Sequence, residues 1–79
     1  VTVLIVAFII LNVETNNPRD VADQILTFDE VEEVHVVFGA FDLIIKASFK
    51  TPEDLSNFVI NTLRKIEGVK DTITNVCAT

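Results

Sequence analysis

The chain opens on a run that is apolar at both parities. Val3, Ile5, Ala7, Ile9 and Leu11 alternate with Leu4, Val6, Phe8 and Ile10. Successive side chains of a strand point to opposite faces, so a strand over Thr2–Val13 is covered on both. Helices of the same chain supply one cover. The other cover needs a partner. The run is too short for a bilayer span, which takes about 20 apolar residues. It also lacks the basic start and small-residue cleavage site of a secretory signal.

The pattern changes at Asn17-Pro18-Arg19-Asp20. Asn is a good N-cap, Pro suits the first helical position, and Asp favours the positive end of the helix dipole. Val21, Ile25 and Phe28 follow at i, i+4, i+7, with Ala22 and Leu26 beside them, which predicts a helix fading near Phe28–Asp29. Beyond Glu30–Glu33, strands are expected at Val34–Phe38 and Phe41–Phe49. In the second of these Leu43, Ile45, Ala47 and Phe49 form an apolar face, and Asp42, Ile44, Lys46 and Ser48 a mixed one. Gly39-Ala40 separates the two strands. Glycine accepts φ > 0 without strain, so Phe38–Asp42 reads as a hairpin bend. A second helix starts at Thr51-Pro52-Glu53-Asp54 with the same cap chemistry. Its stripe is Leu55, Phe58, Val59, Thr62, Leu63 and Ile66, and Gly68 is a natural stop. Asp71–Cys77 is the fourth expected strand.

The two halves repeat. Asn17-Pro18-Arg19-Asp20-Val21 corresponds to Thr51-Pro52-Glu53-Asp54-Leu55, and Val31-Glu32-Glu33-Val34 to Ile66-Glu67-Gly68-Val69. Each half is strand, helix, strand. Two such units joined by the hairpin give an α+β, ferredoxin-like βαββαβ sandwich: a four-stranded antiparallel sheet with both helices on one face. All 79 residues form one domain. The bare sheet face carries Leu4, Val6, Phe8, Ile10 and Ile44, and so predicts a dimer formed sheet to sheet.

Composition narrows the function. A 79-residue chain buries only about 60–65% of its unfolded surface, yet 49% of its residues are apolar, more than one small core needs. Net charge is −6 with six basic residues. Phosphate binding rests on clustered Lys and Arg, so nucleic acid and anionic membrane are not expected as direct partners. Cys77, the single Cys, cannot form an internal disulfide, and no CxxC or His/Cys cluster suggests zinc. A reducing, cytoplasmic setting fits. His35 is the only His, and no Ser or Cys stands where it would serve as its nucleophile; it reads as an interface or partly exposed strand residue. With neither Tyr nor Trp and no paired carboxylates on one element, an enzyme site is hard to build; no metal or cofactor is expected either. Asp29-Glu30-Val31-Glu32-Glu33 lacks the spacing of a calcium loop and reads as a solvated acidic edge.

Two features remain. One is the bend Gly39-Ala40-Phe41-Asp42; the other is Thr72-Ile73-Thr74, with two hydroxyls on one strand face. Free N–H groups at a glycine bend hold a carboxylate, and an adjacent acid holds an ammonium, which together suit a zwitterion such as a free amino acid. The plainer alternative is that Asp42 caps the hairpin and the threonines are ordinary strand residues. On the residues alone both stay open.

The chain resembles the effector-binding RAM domain of the Lrp/AsnC family of feast/famine transcription regulators. The likeness runs through Glu33-Val34, Gly39-Ala40-Phe41-Asp42-Leu43-Ile44, Leu55 with Phe58-Val59, Ile66-Glu67-Gly68-Val69, and Thr72 with Thr74, and covers nearly the whole chain. It implies sheet-paired dimers, commonly assembled into octameric rings, with an amino acid bound at the dimer–dimer contact by a Gly-x-x-Asp loop. Carried over, Gly39 and Asp42 are the loop ligands, Ala40 and Phe41 shape the pocket, and Thr72 and Thr74 are a secondary set.

Full-length members carry an N-terminal helix-turn-helix domain. Here the first strand begins at the start of the sequence, so the expectation is a stand-alone RAM domain without its own DNA-binding domain. It would sense an amino acid without catalysis, or form mixed assemblies with full-length regulators. Three rivals share parts of the pattern. An ACT-like amino-acid-binding domain usually has Gly between strand one and helix one, and Asn12–Pro18 has none. A small dimeric α/β-barrel enzyme fits poorly with a single His and no Tyr or Trp. A ligand-free oligomerisation scaffold is the third.

Overall fold

A computed structural model describes residues 4–78. Thr2 and Val3, at the start of the expected first strand, lie outside the described residues. The elements are β1 (Ile5–Val13), α1 (Pro18–Ile25), β2 (Val31–Val36), β3 (Leu43–Phe49), α2 (Pro52–Asn57) and β4 (Val69–Val76). The sheet order is β2-β3-β1-β4, with each neighbouring pair antiparallel, so the two βαβ halves interleave in the expected ferredoxin-like topology.

Directly paired residues share a face, and three cross-strand rows define the covered one. They are Val36–Leu43–Leu11–Thr72, Val34–Ile45–Ile9–Thr74 and Val31–Ala47–Ala7–Val76. The β1 and β3 members of these rows are fully buried. Val21, Ala22 and Ile25 of α1 and Leu55, Phe58, Val59 and Leu63 of the second helical segment close the core over them. Phe58 sits edge-on to Phe28 at 5.7 Å and tilted against Phe49 at 5.3 Å, geometries that the ring quadrupole favours.

The details depart from simple periodicity in several places, among them the inner ends of the hairpin strands, where β2 stops at Val36 and β3 starts at Leu43. β2 starts at Val31, three residues earlier than alternation predicts. The ladder shifts between Val31, opposite Ala47, and Glu33, opposite Lys46. That extra residue is a β-bulge, and it lets Val31 and Val34, three apart, face the same core. α1 stops at Ile25, and Phe28 reaches the core from the following turn. The Asn17 side chain makes no cap hydrogen bond; Thr15 Oγ1 instead accepts the Asn17 N–H at 3.2 Å. Thr51 does cap as expected, its Oγ1 accepting the Asp54 N–H at 3.0 Å.

A further departure is the second helix. It runs as α-helix to Asn57, as a π-helical turn over Phe58–Thr62, and as a 3₁₀ turn over Leu63–Lys65. The stripe residues Leu55, Phe58, Val59 and Leu63 are buried as expected, while Thr62 and Ile66 are half-buried. Gly68 has φ +96° and its carbonyl accepts the Glu14 N–H at 2.6 Å, so the left-handed residue also ties the end of β1 to the start of β4. β4 accordingly begins at Val69, two residues before the expected start.

Candidate functional site

The bend between β2 and β3 is anchored by Asp42. Its N–H donates to the Leu11 carbonyl and its carbonyl accepts the Val37 N–H, both at 2.9 Å. Its side-chain Oδ2 accepts the Val13 N–H, also at 2.9 Å. One residue therefore ties both arms of the hairpin to the end of β1. Gly39 has φ +152°, and a Cβ placed there would meet nothing within 4 Å. Conformation, not space, demands glycine at that position.

What the bend presents outward is polar backbone beside an aromatic ring. The N–H groups of Phe38, Gly39, Ala40 and Phe41 donate no hydrogen bond among the described residues. Phe38 is fully exposed, at 103%, and Phe41 and Asp42 are half-buried. Asp42 Oδ1 has no hydrogen-bond partner among the described residues. Unpaired N–H groups can receive a carboxylate, and a carboxylate oxygen can receive an ammonium.

The threonines sit elsewhere. Thr72 and Thr74 do share a face, as the i, i+2 spacing predicts, but it is the helix-covered one, on the edge strand β4. Thr72 lies in the row of Leu43, two strand spacings or about 10 Å from β3. Its Oγ1 accepts from Arg64 Nε at 3.4 Å. Thr74 lines a shallow groove with Pro52, Leu55, Val59, Ile60 and Arg64. The chain thus brings Gly39, Ala40, Phe41 and Asp42 together and leaves both threonines apart from them. The larger concavities lie away from the bend: one is floored by Phe49 and Phe58 at the opposite end of the sheet, the other lies along the open sheet face at Val6, Phe8 and Lys46.

That open face carries two further rows, His35–Ile44–Ile10–Ile73 and Glu33–Lys46–Phe8–Asn75. Leu4, Phe8 and Ile73 are 47%, 39% and 46% exposed. No part of the chain covers this face among the described residues. His35 Nε2 is 3.5 Å from Glu33 Oε1, with both side chains open to solvent. No three His, Cys, Asp or Glu side chains among the described residues converge as a metal site, and no described helix is long and apolar enough to cross a membrane.

Periodicity missed Glu32 as a residue of the open face, because only the bulge puts it there. The sequence signal for it is the pair Val31 and Val34, apolar three residues apart with two acids between.

Comparison with known proteins bears on this architecture. Residues 6–78 match the family described as the Lrp/AsnC ligand binding domain. An uncharacterized HTH-type transcriptional regulator of Pyrococcus furiosus is 36% identical over 72 residues, covering 91% of this chain and 49% of that protein. The chain spans about half the length of the curated relatives it matches. Among solved structures, FFRP-DM1 superposes with a TM-score of 0.88 at 33% identity, covering 92% of this chain and 97% of that one. A transcriptional regulator of Neisseria meningitidis in complex with L-Met superposes with a TM-score of 0.87 at 25% identity, covering 95% of this chain and 50% of that one.

Proposed function

This chain belongs to the Lrp/AsnC ligand-binding domain family, and we propose that it acts as a non-enzymatic, amino-acid-responsive oligomerisation module of transcription regulation. The observation that carries the reading is the bend. Among the described residues the four successive N–H groups of Phe38 to Phe41 donate no hydrogen bond, and the Asp42 carboxylate follows them directly in the chain. That is a matched donor and acceptor pair for the carboxylate and ammonium of a free amino acid. The methionine bound by the Neisseria regulator supports the same ligand class.

In this reading Gly39 and Asp42 hold the ligand, and Ala40 and Phe41 border it. One chain leaves the bend open to solvent. A second dimer closing over it supplies the missing walls, and successive closures build an octamer. Thr72 and Thr74, on the edge strand, act only if a neighbouring copy brings its own bend to them. The uncovered apolar sheet face supports the dimer from which such an assembly grows. Partners are the amino-acid effector, further copies of this chain and full-length regulators of the family, in a cytoplasmic setting.

A thermal-shift screen of the twenty amino acids tests this. A ligand present at 100 times its Kd adds about 2.7 kcal/mol of stability, which in a domain this size raises Tm by about 10 °C or more. The reading predicts such a rise with one or a few amino acids, lost in Asp42→Ala. No rise with any amino acid at millimolar concentration would favour a ligand-free scaffold.

A further inference from the structure

Phe38 stands at the tip of the bend between β2 and β3, and no described residue of its own chain covers it. Turn tips ordinarily carry Gly, Pro, Asn, Asp or Ser. This ring is also held in place. Asp42 ties both arms of the hairpin to the end of β1 through three hydrogen bonds of 2.9 Å, and Gly39 follows Phe38 at φ +152°. An aromatic side chain projected from an anchored bend loses little freedom on burial, and such rings are enriched at the desolvated centres of interfaces.

Three concavities bear on where it goes. The one floored by Phe49 and Phe58 is rimmed by Asp29, Glu30 and Asp54 against a single Lys50, and repels a bend that itself carries Asp42. The one at Val6, Phe8 and Lys46 belongs to the open sheet face, which the sheet-paired dimer occupies. The third is the shallow groove of about 300 Å³ between the second helical segment and β4. Leu55, Val59 and Ile60 line it with apolar surface, and its one charged lining residue is Arg64. Arg64 Nε donates to Thr72 Oγ1 at 3.4 Å, and the guanidinium meets no carboxylate within 4 Å among the described residues. The groove thus offers an apolar bed for a ring, and a cation complementary both to the ring face and to the Asp42 charge near it.

No chain seats its own ring there. The sheet order β2-β3-β1-β4 puts three strand spacings, about 14 Å, between the strand that leads into Phe38 and the strand that carries Thr74 of the groove. A knob and a hole on different surfaces of one molecule make a head-to-tail contact, which repeats from copy to copy and either closes as a ring or runs on as a filament.

We propose that Phe38 of one dimer seats on the groove of Leu55, Val59 and Ile60 in a neighbouring dimer, with Arg64 at its rim, and that this contact joins dimers at the bend. The inference rests on the assembly reading above and names the surface that the bend meets. Thr74, on the groove wall, is thereby brought to the neighbour's Gly39–Asp42.

A double-mutant cycle read by sedimentation velocity tests it, with the wild type, Phe38→Ala, Ile60→Glu and the two combined. Both residues are exposed, so neither change empties the core. Each single variant should raise the concentration midpoint between dimer and larger assembly by about tenfold or more. The combined variant should lie within about threefold of the weaker single one, because both substitutions break the same contact. Losses that multiply overturn the inference, since the two residues then act at separate contacts. A single variant that assembles like the wild type overturns it as well. If Ile60→Glu loses its far-UV circular dichroism signal, Ile60→Ala completes the same cycle with a smaller expected loss. A wild type that never exceeds a dimer overturns the assembly reading itself, and the inference with it.

Discussion

The Asp42 carboxylate accepts the Val13 N–H at 2.9 Å, joining residues 29 apart in the chain. Val13 is the last residue of β1. The contact holds the bend against the sheet. Asp42→Ala removes a charge-assisted hydrogen bond and leaves the part-buried Val13 N–H unpaired. It should lower unfolding stability by roughly 1.5–3 kcal/mol, read from urea denaturation. Asp42→Asn keeps an acceptor and should lose about half as much. Equal stability of all three proteins would show that the bond contributes nothing net.

Gly39 supplies the second prediction. At φ +152° an L side chain is strained even though the surrounding space is open. Gly39→Ala should cost roughly 1–3 kcal/mol, the usual penalty for a residue held in a sparsely populated backbone region. An unchanged urea midpoint would mean that the bend relaxes to another conformation at no cost. Ligand binding through its N–H groups should then fall instead.

The two helix entries give a paired test. Thr51 caps through its hydroxyl and Asn17 does not cap through its side chain. Thr51→Ala should cost about 1 kcal/mol, a Tm loss of roughly 4–8 °C. Asn17→Ala should stay within about 0.5 kcal/mol of the wild type. Equal losses would contradict the assignment.

These residues also mark how much of the molecule could be read before its structure. The buried face of β3, Leu43, Ile45, Ala47 and Phe49, was legible because strict period two reports burial directly; β1 is apolar at both parities, and its pairing with β3 is what assigns Ala7, Ile9 and Leu11 to the core. The start of β2 was not, because a bulge breaks that period and only the partner strand reveals it. Asn17 and Thr51 look alike in sequence, and their different roles depend on local backbone geometry. The positive φ of Gly39 was legible from residue type. The Asp42–Val13 bond was not, since no local signal links residues 29 apart. Thr72 and Thr74 shared a face as expected; which side of the sheet that face was on depended on the register with Leu11 and Ile9.

Charge gives the fourth prediction. With net charge −6 and only six basic residues, the 79-residue chain should show no saturable, sequence-selective binding to duplex DNA at about 150 mM salt. Selective retention of a duplex under those conditions would contradict it.

On the proposed function, an amino acid binds the Gly39–Asp42 bend where assembled dimers meet. Such a ligand binds one assembly state better than another, and so must shift the equilibrium between them by that difference in affinity. Linkage makes the effect reciprocal, with a coupling typically of about 1–3 kcal/mol. The direct measurement is sedimentation velocity of the wild type across the concentration midpoint between dimer and larger assembly, with and without the amino acid selected by thermal shift. The predicted result is a shift toward the larger species that Asp42→Ala abolishes. Tight binding with the species distribution unmoved across the midpoint would contradict this, because it would put the ligand inside a single dimer, as in an ACT-like domain.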